Sequence, residues 1–251
     1  MRFKQFKAKL LKMKILFLYA HFNPTSQICA NAKVYLERLG QFKTSVDYDL
    51  IWVETSPEVP KHLNQSIVKK LVHLPANLGR DFWAWGEALK QTNLEQYDFV
   101  LFANKSGYGP NQDRWLEQFV EPFQKFSKLA VSGPIANFRG GWHIQTWAFM
   151  LKTGDVKILL AEDKAFGLKR KFWPYAAYDS REIYLSQKFL KEGRSIYCFL
   201  KNYPEIYLKT KPDKKLGITK FDPVVFPIAW NKHANLSEEQ NLVFIKNPKG
   251  K

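Results

Sequence analysis

Short apolar runs alternate with segments of helical length from Lys14 onward, and that alternation narrows the fold more than any other feature. Lys14–Tyr19 (KILFLY), Tyr48–Val53 (YDLIWV), Leu71–Leu74 (LVHL) and Tyr97–Ala103 (YDFVLFA) have strand length and mostly apolar character. Strands covered on both faces read this way. Gln27–Leu39 puts Ile28, Ala32, Tyr35, Leu36 and Leu39 at helical spacing, with Gly40 as its stop. His62–Lys70, and a segment starting near Asp81, read as further helices. Repeated strand–helix units predict parallel strands joined by right-handed crossovers. The expected class is therefore α/β, a mostly parallel central sheet flanked by helices, with any ligand at the carboxyl ends of the strands.

His73–Pro110 collects polar groups at that edge. Asn77, Gly79, Arg80 and Asp81 lie on the loop entering a helix, with Asp81 as its expected N-cap. A helix start offers free backbone N–H groups to an anion. The next strand delivers Asn104, Lys105 and Ser106 to the same edge. No G-x-G-x-x-G or G-x-x-x-x-G-K-[ST] is present, which argues against a dinucleotide-binding or P-loop enzyme.

Downstream, Trp115–Phe126 reads as a helix ended or interrupted near Pro122, and Leu129–Ser132 as a strand turning at Gly133-Pro134. Phe138–Trp142 is a polar-aromatic loop, and Gln145–Lys152 a strand with large side chains. Asp179–Glu192 is the clearest helix of this half. Asp179 or Ser180 is its expected cap, Ile183, Leu185, Phe189 and Leu190 its apolar face, and Gly193 its stop. Ser195–Leu200 follows as a strand. The expected organisation is a basic leader over residues 1–13, one domain over 14–200 and a C-terminal extension over 201–251 that packs on it.

Charge sets the class of partner. With 39 Lys and Arg against 23 Asp and Glu, the formal charge is +16, a field that draws phosphates and anionic surfaces. No helix-turn-helix, RNA-recognition signature or zinc knuckle accompanies it, so nucleic acid is not an expected partner. Aromatic residues make up 16% of the chain, an excess that serves either core packing or stacking against sugars. Cys29 and Cys198 are too few for a disulfide framework and read as small core residues in a reducing compartment. No apolar run reaches the roughly 20 residues needed to span a bilayer, and the leader lacks a secretory pattern. A cytoplasmic protein, peripheral at most to an anionic membrane, is the expectation.

The pattern N-x-G-x-D-F-x-A-W-x-x-A-L from Asn77, followed by Y-D-x-V-L-F-x-N-x-S-x-x-G-P from Tyr97, resembles the rhamnan synthesis protein F family of bacterial glycosyltransferases. It is similar, more distantly, to nucleotide-sugar transferases of the GT-A fold. The resemblance continues in His143-Ile144-Gln145-Thr146, against the family's H-x-Q-S/T, and in Glu182-x-x-Leu185-Ser186 with Gly193 beyond it. It covers roughly residues 14–200.

The resemblance implies a GT-A-like domain moving a sugar from a nucleotide-sugar donor to an anionic or membrane-linked saccharide acceptor during bacterial surface-polysaccharide or lipooligosaccharide assembly. Asn77, Gly79, Arg80, Asp81, Asn104, Lys105 and Ser106 would bind the donor, and Trp142, His143 and Gln145 the acceptor side. Glu182 would be the base, with Asp179 in reserve. Lys164–Tyr178 is the expected acceptor-side flap. Asn104-Lys105-Ser106 stands where the family usually shows Asn-Asp-Ser and many GT-A enzymes show D-x-D. The missing acid removes the hard oxygen that Mg²⁺ or Mn²⁺ prefers, so no metal ligand is assigned and the site is read as metal-independent, with His143 as the alternative that could replace the lost ligand and the nucleotide sugar as substrate. Each residue also has a structural reading: a turn and N-cap for Asn77–Asp81, a solvated lysine for Lys105, a satisfied histidine for His143, and helix-end acids for Asp179 and Glu182. The Lys105 departure leaves open a sugar-binding module of the same fold without turnover.

Overall fold

The computed structural model describes residues 12–25, 27–61, 63, 66–138, 141–167, 176–199, 205–210 and 245–246. A seven-stranded sheet forms its centre, in the order β10-β6-β9-β4-β1-β2-β3. These are β1 (Lys14–His21), β2 (Asp47–Glu54), β3 (Val68–His73), β4 (Phe99–Asn104), β6 (Leu129–Gly133), β9 (Ala148–Lys152) and β10 (Ser195–Cys198). β1, β2, β3 and β4 run parallel, as do β6 and β10. β9 enters antiparallel between β4 and β6.

Side-chain alternation explains the layers. Along β1, Leu16, Leu18 and Ala20 enter one core, while Ile15, Phe17 and Tyr19 enter the other, as the two-residue period of a strand requires. The first core is closed by α2 (Arg80–Lys90), α4 (Thr153–Ala161) and α5 (Ala176–Lys191), through Trp85, Ala88, Val156, Leu159, Leu185 and Phe189. The second is closed by α1 (Ala30–Gln41) and α3 (Trp115–Lys125), through Tyr35, Leu36, Trp115 and Phe119. Much of the aromatic excess lies here: Trp52, Trp85, Trp115, Trp142 and Trp147 are all under 2% exposed.

Several expectations are corrected. Residues 68–70 of the expected helix His62–Lys70 begin β3, because Val68, Leu71 and Val72 pair with β2. Gly40 does not stop α1, which runs on to Gln41. Asp81 does not cap α2; Gly79 holds the N-cap position, and the Asp81 carboxylate is drawn to Asn104 instead. Strand β9 starts at Ala148 rather than Gln145, since His143-Ile144 forms β8 of a small hairpin with β7 (Ala136–Asn137). Helix α5 begins at Ala176, which places Asp179 and Ser180 inside it rather than at its cap. Helix α4 was not expected at all.

Among the described residues no helix is long and apolar enough to cross a membrane. Of the expected extension, Ile206 is fully buried and bridges Ile196 of β10. Strand β11 (Ile245–Lys246) pairs antiparallel with β5 (Gly107–Tyr108). The leader up to Leu11, residues 168–175 of the expected flap and most of residues 201–251 lie outside the described residues.

Candidate functional site

The parallel strands β1, β2, β3 and β4 all end on one edge, where the sequence also places its polar residues. Strand β4 finishes at Asn104, buried to 1% exposure. Its amide Nδ2 donates to Asp81 Oδ2 at 2.7 Å, and its Oδ1 accepts the Ser106 N–H at 2.9 Å. One side chain thus ties the start of α2 to the turn after β4. The Asp81 carboxyl is pushed up from 3.8 to about 6. Loss of solvent is the main cause, opposed by the Asn104 hydrogen bond and by the charges of Lys105 and Arg80.

Lys105 is not a solvated lysine. Its Nζ donates to the Phe22 carbonyl at 2.6 Å, and its own carbonyl accepts from Asn31 Nδ2 at 3.0 Å. The cation is held by the loop after β1, and the Lys105 backbone by the first turn of α1. Arg80 is exposed and takes φ of 55°, a left-handed conformation that is uncommon for a residue with a side chain. Gly79 is required by contact: a Cβ there would stand 2.3 Å from Trp83 Cβ. Asn77 and Ser106 are half-buried beside this edge.

The downstream residues join the same network. Arg181, 6% exposed, donates from Nη1 to the Gly79 carbonyl and from Nη2 to the Gly167 carbonyl, both at 2.9 Å. Glu182, 5% exposed, accepts the Thr146 N–H at 3.1 Å. The Asn104 N–H reaches the Trp147 carbonyl at 3.3 Å, so the Thr146–Trp147 turn links Glu182 to the end of β4. Ser186 Oγ accepts the Ile144 N–H at 3.0 Å, and Gln187 Nε2 donates to the Trp142 carbonyl at 2.8 Å. Helix α5 therefore fixes the whole Trp142–Thr146 segment.

On that segment His143 is buried, with Nδ1 2.9 Å from the Gly141 carbonyl. The buried Gln145 donates its backbone N–H to Ile135. Trp142 lies in the core, and its indole N–H donates to the Thr210 carbonyl. Asp179 is in the first turn of α5. The Asn77–Asp81 loop, the Asn104–Ser106 turn and the Glu182 region are thus one connected hydrogen-bonded array. Among the described residues no group of three or more His, Cys, Asp or Glu side chains is placed to hold a metal ion.

Sequence reasoning missed three residues of this edge. Arg181 lies in the middle of a helix and carries no motif. His21 and Glu54, at the ends of β1 and β2, form a fully buried pair with Nδ1 2.8 Å from Oε2. Glu54 also accepts from Trp52 Nε1 and from the Ser56 N–H, each at 3.0 Å. The available signal was an ionisable residue at the end of each of two neighbouring apolar strands.

A scan against protein-family models matches none, and a search of curated proteins finds no relative. Among solved structures, 4-diphosphocytidyl-2C-methyl-D-erythritol synthase from Anaerococcus prevotii aligns at TM-score 0.49 and 13% identity, covering 81% of this chain and 94% of that one. S. aureus TarS aligns at TM-score 0.49 and 14% identity, covering 82% of this chain and 38% of that chain. A shorter form of TarS in complex with UDP aligns at TM-score 0.49 and 15% identity, covering 80% of this chain and 61% of that one. At these scores the likeness assigns the chain to no family.

Proposed function

We propose that this chain is a glycosyltransferase that moves a sugar from a nucleotide-sugar donor to a saccharide acceptor in bacterial surface-polysaccharide or lipooligosaccharide assembly. The observation that carries the reading is the array at the strand ends: Asp81 bound to Asn104, with Ser106 and Lys105 on the same turn. It combines a helix start, a held cation and hydrogen-bonding groups, which are what a sugar diphosphate needs. In this reading Asn77 and Asp81 take the nucleoside, and Gly79 lets backbone approach it. Arg80, Lys105 and the first N–H groups of α2 take the diphosphate, and Asn104 and Ser106 take the sugar side. Trp142, His143 and Gln145 border the acceptor. The acceptor hydroxyl loses its proton to Glu182, its oxygen bonds to the anomeric carbon, and the nucleoside diphosphate leaves with the broken C–O bond's electrons. Asp179 is the reserve base. Lys105 supplies charge where a metal-bound acid would stand, and the proposed site works without Mg²⁺ or Mn²⁺.

The test is a panel of nucleotide sugars, scored for thermal stabilisation and for transfer, with Mn²⁺ or with EDTA. Glu182→Gln is the informative variant, because a glutamine oxygen still accepts the Thr146 N–H while removing the base. Transfer should fall by about 100-fold or more with donor stabilisation unchanged; undiminished transfer would make Glu182 a positioning residue only. A second reading, a sugar-binding module without turnover, is favoured by that same bond, since Glu182 already serves the turn before β9. A donor that stabilises the wild-type chain yet is never turned over, whatever acceptor is offered, would establish it.

A further inference from the structure

Arg181 has no task in the reaction proposed above. It projects from α5 and is 6% exposed. Nη1 donates to the Gly79 carbonyl and Nη2 to the Gly167 carbonyl, both at 2.9 Å. Nε is buried and has no hydrogen-bond partner among the described residues. Burial disfavours the charge of this guanidinium; Asp163 favours it without forming an ion pair, and the neighbouring Arg80 opposes it. A carbonyl orients a cation but carries no counter-charge, and a buried charge left unpaired is costly. A guanidinium also has more N–H donors than two carbonyls take up. A cation held in this state fits an anion that the chain itself does not supply.

Its position indicates which anion. Gly79 is the N-cap residue of α2, so Nη1 lies at the helix start, whose first N–H groups have no intrahelical acceptor. The other two cations of this edge are less suited to the role. Arg80 is exposed, and the Lys105 Nζ already donates to the Phe22 carbonyl. A charge acts more strongly in a buried setting than in water, so Arg181 contributes more to a bound anion than Arg80 does. We propose that Arg181 binds the diphosphate of the donor together with the start of α2, and neutralises the charge that develops as the diphosphate leaves. The inference rests on the glycosyl-transfer reading for the identity of that ligand. As the bond between the anomeric carbon and the diphosphate oxygen breaks, its electron pair stays on that oxygen, and the nucleoside diphosphate gains a negative charge. The acceptor proton goes to Glu182. Consecutive residues of a helix point about 100° apart, which lets Arg181 turn to Gly79 while Glu182 turns to Thr146. One turn of α5 thus serves the leaving group and the attacking hydroxyl.

The probe is inorganic pyrophosphate in EDTA, titrated into the intact chain by isothermal titration calorimetry. It carries the charged group without nucleoside or sugar, and the wild-type chain should bind it. Arg181→Gln keeps a donor for one carbonyl and removes the charge. It should weaken binding by about 10- to 100-fold, the effect of losing charge-assisted hydrogen bonds. Lys191→Gln removes an exposed cation from the last turn of the same helix and should change binding by no more than about twofold. In the wild-type chain the Arg181 Nε–H resonance, assigned through its own side chain, should shift as pyrophosphate is added; this decides the matter should Arg181→Gln fail to fold. Unchanged affinity in Arg181→Gln, equal losses in the two variants, a stationary Nε–H resonance, or no pyrophosphate binding by the wild-type chain overturns the proposal. Sugar transfer by the wild-type chain in any of those cases would leave the glycosyl-transfer reading standing without Arg181. Pyrophosphate held through Arg181 in a chain that transfers no sugar would support the anion site and remove that reading.

Discussion

Asp81 shows how a single side chain can couple site and stability. Its carboxyl lies near 6 in the folded chain against 3.8 as its ordinary value, so the folded state holds the proton more tightly than the unfolded one. For such an acid, stability is greatest below the unfolded value and is lost as pH rises through about 4 to 6. Asp81→Asn removes that loss while keeping an oxygen for Asn104 Nδ2. It should raise stability at pH 7.5 by about 1 to 2 kcal/mol, the shift discounted for partial exposure, with little change at pH 4. Urea denaturation at the two pH values measures the difference, and equal effects at both would remove the burial argument. His21 behaves oppositely. Burial opposes the charged ring, yet its hydrogen bonds to Cys29 and Glu54 raise the imidazole to about 8, so its contribution is complete below about 6.5 and fades as pH rises through 8. Glu54→Ala leaves Nδ1 of that buried ring and the Trp52 and Ser56 donors without their carboxylate. It should cost about 3 to 5 kcal/mol and flatten the alkaline slope, as denaturant titrations from pH 6 to 9 would reveal.

Helix α5 does for the element scale what Asp81 does for the residue. Its Arg181, Glu182, Ser186 and Gln187 hold Gly79, Thr146, Ile144 and Trp142 respectively, so one helix sets the position of both the α2 loop and the turn before β9. Ser186→Ala would strand the buried Ile144 N–H at a cost of about 1 to 3 kcal/mol. It should also raise the acceptor KM more than it lowers kcat, because His143 precedes the affected peptide; steady-state kinetics with the donor saturating reads this directly. The sequence made this helix visible through its apolar spacing, yet its buried polar face was legible only at Glu182 and Ser186, where motifs stood. β1, β2 and β4 were legible because continuous apolar runs of strand length have few other uses. The stretch from His62 misled: Leu63, Ile67 and Leu71 fit helical spacing, but pairing with β2 decided the matter. Helix α4 escaped notice because it begins directly at the end of β9 and is apolar on more than one side, with Ile158 half exposed. The antiparallel entry of β9 was likewise hidden, since strand direction depends on how the chain returns after β8. Motif spacing picked out Asn104 and Asp81, but not their bond, which local propensity would have spent on an N-cap.

The whole molecule carries +16, and this charge is the property that most constrains where such a chain can work. The acids already subtracted from it meet some of the basic residues at short range: Lys14 and Lys69 meet Asp49, Lys188 meets Glu162 and Glu192, and Arg194 meets Asp155. The lysine pairs sit at the solvent margin and add little stability each, whereas Arg194 grips the buried Asp155 with two nitrogens. The uncompensated remainder acts at longer range, as a field that concentrates anions around the molecule. If the acceptor is an anionic glycan on a membrane, the chain should sediment with vesicles containing anionic phospholipid and not with zwitterionic ones. Raising salt from about 50 mM to about 500 mM shortens the screening length from near 14 Å to near 4 Å, and binding should be lost over that range. The proposed donor site, by contrast, holds Asp81 and Lys105 in a partly buried network, so any nucleotide-sugar stabilisation should change far less across the same range. Vesicle binding that survives high salt would point to an apolar contact instead. No vesicle binding at low salt would assign the charge to a soluble anionic acceptor, and the two salt titrations run side by side separate these cases.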